Sequence, residues 1–329
     1  MDAVSRPRVF ITQPVAARAI ERLRRVADVD GNRDPLRILE PAQLAEAVRT
    51  RDILFCLVQD TVDARVIAAN PALRMIATMT ITPQQIDVAA ATARRIPVST
   101  IPPMVTEATA DLAMALLLAV ARRVCEADRL VRDGVFPGAQ SRRLEGHAVA
   151  GATLGLLGCG RVGQAVARRA RGFGMRLLYT DPRRLDSSVE AALGLGWFSL
   201  HELLAEADVV SVHVPLAPAT RHLIGAAELA RMKPTAYLIN TSRGPVVDEA
   251  ALVAALREGR IAGAALDVFE HEPRVAPALL ALPNVVLTPH IGSAEVELRA
   301  RMADVVVDNI LAVIDGRRPP NCANPEIYG

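Results

Sequence analysis

Short apolar runs alternate with amphipathic stretches along almost the whole chain. Arg8–Thr12 (RVFIT), Ile53–Val58 (ILFCLV), Leu73–Met79 and Ile96–Ser99 have the length and β-branched content of buried strands. Between them, Val15–Ala27, Pro41–Arg49, Ala64–Ala69 and Ile86–Arg94 carry apolar residues at helical spacing. Such alternation builds a parallel sheet covered by helices. Pro102-Pro103 ends this unit. Thr106–Arg132 then reads as one long helix, apolar almost all round over Leu112–Val120. That predicts burial on several sides, at a domain junction or a subunit interface. A second alternating unit starts at Thr153, with strands at Leu154–Leu157, Met175–Thr180, Ala207–Val214, Ala236–Asn240, Ala262–Val268 and Val285–Thr288. Six strands of this kind suit a doubly wound sheet whose ligand crevice lies at the C-terminal strand ends. Ala294–Ile314 is helical, and Gly316–Gly329 is a Pro/Asn-rich tail.

Composition narrows the classes. At 329 residues with 51% hydrophobic content, two α/β domains of ordinary size are expected. No apolar run reaches the roughly 18 residues of a membrane span, and Met1–Pro14 lacks the pattern of a secretory leader. The 38 basic and 36 acidic residues are spread evenly and give a net charge of +2, which argues against a nucleic-acid surface. Lys233 is the only lysine, and no Walker GK[ST] is present. Cys56, Cys125, Cys159 and Cys322 lie far apart without CxxC or zinc spacing, so free thiols in a reducing cytoplasm and no metal site are expected.

One stretch organises the second unit. The apolar run to Leu157 breaks into Gly158-Cys159-Gly160-Arg161-Val162-Gly163, followed at once by a helix-like segment, Gln164–Gly172. Gly158 permits the tight turn, Gly160 lets backbone N–H groups approach a pyrophosphate, and Gly163 lets helix and strand pack closely. The unpaired N–H groups and the dipole of the helix start attract phosphate. Met175–Thr180 ends in Asp181, 18 residues beyond Gly163. A carboxylate there accepts bonds from the adenosine ribose of NAD and repels a 2′-phosphate. Arg183 and Arg184 follow and leave room for NADP. Cys159, within the turn, reads as a small filler.

Three further strand ends carry polar residues that a core would not need: Thr241-Ser242-Arg243-Gly244, then Asp267 through Glu270-His271-Glu272, then Pro289-His290-Ile291-Gly292-Ser293. In a parallel sheet these ends lie side by side. An arginine can hold a substrate carboxylate and polarise the neighbouring carbonyl. A histidine can pass a proton to the forming alkoxide, with a carboxylate fixing its orientation. Each of the three also has a structural reading: Arg243 as a sheet cap, Glu272 as a solvated carboxylate, His290 as a satisfied loop histidine. His213, inside DVVSVHV, reads as buried structure and His271 as solvated, while His147, His201 and His222 have no suggestive neighbours.

The runs NTSRGPVVDEAALVAAL, LDVFEHEP and LTPHIGSA resemble signatures of the D-isomer-specific 2-hydroxyacid dehydrogenases, a family that includes glyoxylate/hydroxypyruvate reductases and phosphoglycerate dehydrogenase. The resemblance spans nearly the whole chain and is strongest over 151–293. It implies two parallel α/β domains: a Rossmann-type NAD-binding domain, 103–293, inserted in a flavodoxin-like substrate domain made of 1–102 and 294–329. By the same likeness Arg243 binds and polarises substrate, Glu272 pairs with the histidine, and His290 is the acid/base. Thr106 and Thr241 should touch the nicotinamide half, Asp267 the carboxamide edge, Val214 and Pro215 the adenine side, and Arg161 the pyrophosphate. Val162, Thr220 and Ser293 complete the expected cofactor contacts, beside Arg243 and His290. The substrate domain should close on the cofactor domain across a cleft, and the helix after Pro103 should form part of a homodimer interface.

One segment departs from the family pattern. Where relatives carry a glycine-containing G-x-D-N before I-D-V, this chain has Met79-Thr80-Ile81-Thr82-Pro83-Gln84-Gln85-Ile86-Asp87-Val88, with Thr82 at the glycine position. Pro83 has no N–H to give. Either the loop, with Thr80, Ile81 and Thr82 as substrate contacts, binds through the Ile81 and Thr82 amides in a modified geometry, or the substrate differs and Thr80, Thr82, Gln84 and Gln85 read a substituent, or the loop has drifted with its use unchanged. The sequence leads to a cytoplasmic, NAD-dependent reductase of small 2-keto acids. Two alternatives stand beside it: oxidation of phosphite or a phosphorylated hydroxy acid, and a non-catalytic NAD sensor like the dehydrogenase-like corepressors.

Overall fold

A computed structural model describes residues 6–329; the first five residues of the Met1–Pro14 stretch lie outside the described residues. The chain divides into two compact units, Met1–Met104 with Ala294–Gly329, and Val105–Ser293.

The first unit runs β1 (Arg8–Ile11), α1 (Ala17–Arg24), β2 (Asp28–Gly31), α2 (Pro41–Val48), β3 (Ile53–Cys56), α3 (Ala64–Ala68), β4 (Met75–Thr78), α4 (Val88–Ala93) and β5 (Val98–Ser99). Its five strands are all parallel in the order β2-β1-β3-β4-β5, the flavodoxin-like arrangement. β3 and β4 are buried along their whole length, as central strands covered on both faces must be. β2 (DVDG) is a polar edge strand that hydrophobic periodicity does not announce.

The second unit opens with α5 (Thr106–Ala121) and α6 (Val124–Arg132), then β6 (Thr153–Leu157), α7 (Arg161–Arg171), β7 (Arg176–Thr180), α8 (Ser187–Leu193), β8 (Leu195–Trp197), α9 (Leu200–Glu206) and β9 (Val209–Val212). It continues with α10 (Ala226–Leu229), β10 (Tyr237–Asn240), α11 (Glu249–Arg257), β11 (Gly263–Leu266), α12 (Pro277–Leu280) and β12 (Val285–Leu287). Seven parallel strands lie in the order β12-β11-β10-β9-β6-β7-β8, one more than the six expected. The extra strand, β8, is a three-residue edge. Chain direction across the sheet reverses between β9 and β6, which is where a doubly wound sheet opens its ligand crevice. Alternate residues face opposite cores: Leu154 and Leu156 pack toward one layer of helices, Leu157 toward the other. α13 (Val296–Ile314) then returns to the first unit.

The predicted single helix 106–132 is two. The Ala121 carbonyl accepts the N–H of His147 at 2.9 Å, Arg123 turns left-handed at φ 54°, and its guanidinium binds both carboxylate oxygens of Glu126 at 2.9 Å. α5 is buried nearly all round within its own unit, against α7 and the sheet. The exposed apolar side chains belong instead to α6 and the loop after it: Val124, Val131, Val135 and Phe136, the last 79% exposed.

Candidate active site

All cofactor candidates of the second unit, Thr106 aside, sit beyond the C-terminal ends of its strands. From β12 to β7 the sheet order places His290, Glu272, Arg243, Val214, the glycine turn and Asp181 in succession. The His290–Glu272 end of the row and the Asp181 end thus lie apart, the strands of Arg243 and Asp181 being roughly 14 Å from each other by inter-strand spacing.

The glycine turn has the geometry its sequence predicts. Gly158 is left-handed at φ 88°. A Cβ at Gly163 would lie 2.4 Å from the Gly158 carbonyl oxygen, so the helix could not seat against the strand. The amides of Arg161, Val162 and Gly163 open α7, with Gly160 as its N-cap. Among the described residues they have no protein acceptor, and neither has the exposed Arg161 guanidinium. Asp181 accepts the Cys159 N–H at 3.0 Å, tying β7 to the turn. Cys159 is buried and its thiol is pushed up to about 12, the filler expected. Gly163→Val is expected to weaken NADH binding at least tenfold, by a rough count of one lost helix-terminus anion site, checked by fluorescence titration.

Arg183 and Arg184 do not act alike. Both are exposed, but Arg184 is held by Glu190 at 2.9 Å and lies over the Trp197 ring, whereas the Arg183 side chain has no partner among the described residues. Beyond β9, Val214 is half-buried and Pro215 exposed. The Thr220 hydroxyl accepts the Ala217 N–H at 2.8 Å and donates to the Pro215 carbonyl at 2.6 Å, closing the loop below them. His213 bonds Ser211 at 2.9 Å, and burial holds its imidazole down to about 4, so it is a neutral structural residue.

The chemical end is built from three loops. Asn240 shapes the first: it accepts from Ser242 N–H and donates to the Arg243 carbonyl, both at 3.0 Å. Gly244 presses this loop against the next, since a Cβ there would fall 1.8 Å from the Phe269 carbonyl oxygen. Arg243 is half-buried; burial lowers its guanidinium pKa, and the charge of Glu272 opposes that shift. Glu272 Oε1 accepts the Phe269 N–H at 3.0 Å, leaving Oε2 to bond His290 Nδ1 at 2.8 Å. His290 itself is left-handed, φ 55°. Asp267, 1% exposed, explains that bend: its carboxylate accepts from the Thr288 hydroxyl and the Ile291 and Gly292 amides, at 2.7, 2.7 and 2.9 Å. Burial raises its pKa and these bonds oppose the rise.

Several contacts escaped sequence reasoning. Thr109 on α5 donates to the Val105 carbonyl at 2.9 Å and the Gly292 carbonyl at 3.3 Å, joining the helix of Thr106 to the His290 loop that ends in Ser293. His222 has a partner after all, Glu270 at 2.6 Å, and so has His147, the Tyr237 hydroxyl at 2.7 Å. Glu249 accepts the amides of Glu270 at 3.1 Å and Ala276 at 3.3 Å, clamping both ends of the loop that carries Glu272. No spacing rule reveals pairs so far apart in the chain. Among the described residues no group of side chains could hold a metal, and no helix is long and apolar enough to cross a membrane.

These residues fit a dinucleotide. The Thr241 hydroxyl is buried without a hydrogen-bond partner, an arrangement that is costly unless something else binds it. The space where Gly160 would carry a Cβ is empty of protein atoms. Thr80, Ile81 and Thr82 belong to the other unit, beyond the end of β4, and are described there by themselves.

Residues 114–292 match the family model of the D-isomer specific 2-hydroxyacid dehydrogenase NAD binding domain. A glyoxylate reductase of Korarchaeum cryptofilum is 47% identical over 327 residues, 98% of this chain and 97% of its own. A crystal structure of a protein from Thermus thermophilus is similar at TM-score 0.86 and 45% identity, covering 96% of this chain and 99% of that one. An NADPH-dependent glyoxylate/hydroxypyruvate reductase from Sinorhizobium meliloti is similar at TM-score 0.78 and 34% identity, covering 97% and 99%.

Proposed function

The chain belongs to the D-isomer specific 2-hydroxyacid dehydrogenases, oxidoreductases acting on CH–OH groups, and from that premise we propose a reversible reductase of small 2-keto acids such as glyoxylate or hydroxypyruvate. The observation that carries this reading is the His290–Glu272 pair, 2.8 Å, with the half-buried Arg243 as a charge neighbour of Glu272. A bound nicotinamide cofactor supplies or accepts the hydride. Arg243 holds the substrate carboxylate and draws electron density from the carbonyl. His290 has Nδ1 committed to Glu272, so Nε2 is the atom that delivers the proton to the forming alkoxide, and takes it back in oxidation. Glu272 fixes the orientation and tautomer of the ring. Asp267 and Thr109 hold the histidine loop in place, and Asp267, Thr106, Thr241 and Ser293 face the nicotinamide half in this reading.

The Asp181 carboxylate favours NAD over NADP; Arg183 alone, with Arg184 held by Glu190, offers a 2′-phosphate little. The first unit, with Thr80, Ile81 and Thr82, is assigned the substrate, and the second the cofactor. The loop segment Met79–Ile86 carries no charged side chain, which favours a monoanionic acid over a phosphorylated one. Initial rates across a keto-acid panel, with NADH and NADPH side by side, test the reading. NADH binding without oxidation by any acid in the panel would replace it with the sensor alternative.

We assign the exposed apolar face of α6 to a homodimer contact, since Val124, Val131 and Phe136 have no cover in their own unit. Phe136→Asp is expected to shift a dimer toward monomer in sedimentation equilibrium; a wild-type monomer would refute it. Four free cysteines suit a reducing cytoplasm, which cell fractionation checks.

A further inference from the structure

The loop beyond β4 departs from the family's glycine pattern, and the structure offers a replacement for the missing glycine. No residue from Met79 to Ile86 is left-handed, so the loop does not depend on the backbone freedom of glycine. Side chains shape it instead. Gln85 Nε2 donates to the Thr78 hydroxyl at 2.7 Å, the Thr78 and Thr80 hydroxyls lie 3.1 Å apart, and Thr80 donates to the Thr82 carbonyl at 2.7 Å. Since Thr80 spends its proton on Thr82, Thr78 must donate to Thr80, and the relay runs in one direction from Gln85 to Thr82. Gln85 also reaches the Leu57 carbonyl beyond β3 at 3.4 Å, anchoring the relay to the neighbouring strand end.

The result is a loop in which the Thr80, Thr82 and Pro83 carbonyls are satisfied while the Ile81 and Thr82 amides are not. The Thr80 carbonyl accepts from Ile101 N–H at 2.9 Å, the Thr82 carbonyl from Thr80, and the Pro83 carbonyl from Ile86 N–H at 3.0 Å. Among the described residues the consecutive Ile81 and Thr82 amides have no acceptor, which makes them a pair of donors for an oxyanion. Asp87, which follows the loop, is engaged as the cap of α4 through the Ala90 amide at 2.9 Å, and Asp60, beyond β3, is buried and bound by Thr12 and the Leu57 amide, with its pKa raised by burial.

We propose that Gln85 and Thr80 are positioning residues, whose side-chain relay holds the Ile81 and Thr82 amides ready for the carboxylate of a monoanionic 2-keto acid. The inference rests on the functional reading given above. Its test is steady-state kinetics with glyoxylate and NADH, together with binding of oxamate, an unreactive keto-acid isostere, to the enzyme–NADH complex. Gln85→Leu and Thr80→Val each raise the glyoxylate KM and the oxamate Kd about tenfold, while kcat falls no more than about threefold and NADH affinity holds. The double variant is no worse than the weaker single one, because both cut the same relay. Thr80→Ser restores most of the affinity. Unchanged KM and oxamate binding in variants that still bind NADH would overturn the proposal, as would parallel losses of NADH affinity, the mark of a merely structural role. Should Thr80→Val fail to fold, Gln85→Leu, at a partly exposed position, decides. Wild-type protein that neither reduces glyoxylate nor binds oxamate would sink the functional reading, and this inference with it.

Discussion

His290→Ala is expected to lower kcat for keto-acid reduction by about 10²–10⁴, the usual worth of a positioned general acid, while NADH affinity stays within a few-fold of wild type. The expectation follows from geometry: Nδ1 is bound to Glu272 Oε2 at 2.8 Å, so Nε2 is the end left for the substrate oxygen. Alanine removes that proton donor and leaves Oε2 of Glu272 without its partner. The loop itself should survive, since Asp267 fastens it through the Thr288 hydroxyl and the Ile291 and Gly292 amides rather than through the imidazole. Stopped-flow measurement of a single turnover separates loss of proton transfer from slow product release. Near-normal single-turnover rates would remove His290 from the chemistry.

Arg243→Ala is expected to lower kcat/KM by about 10²–10³, the scale on which removing one positioned donor to developing charge acts. Both kcat and KM should move, because the guanidinium is assigned to binding and to polarising the carbonyl. Arg243 is half-buried with Glu272 as a neighbouring charge, so removal also leaves that carboxylate less compensated. Lysine is a poor substitute, being a point charge where a planar fork is needed. Added guanidinium chloride should recover part of the alanine variant's rate. An effect confined to NADH affinity would contradict the assignment.

What the sequence discloses, and what it withholds, follows from range. The dinucleotide turn is local: Gly158, Gly160 and Gly163 set their own backbone and spacing, so six residues suffice to read it. Buried strands such as Ile53–Cys56 are equally plain, being apolar throughout. β2 and β8 are short edges with polar or mixed residues, and their pairing comes from the neighbouring strand rather than from a pattern of their own. The break at Arg123 arises because the amide of His147 takes the carbonyl of Ala121, a competitor invisible to helix periodicity. For the same reason Glu249, Thr109 and the partners of His147 and His222 were not legible: each bond joins residues remote in sequence. The substrate loop lies between these cases. Its departure from the family's glycine is plain in the chain itself, but the Gln85–Thr78–Thr80 relay exists only once β4 and its loop are folded.

The return of α13 to the first unit bears on how the protein is made. Asn309 on that helix bonds the Thr100 carbonyl at 3.1 Å, and Asn324 beyond it bonds the Val98 amide and the Ile96 carbonyl at 2.8 and 2.9 Å. A ribosome must therefore translate all of Val105–Ser293 before the opening sheet can acquire its last covering layer. At ~5–20 residues per second that interval is roughly ten to forty seconds. Throughout it the surface that the buried face of α13 covers in the finished fold waits for its partner.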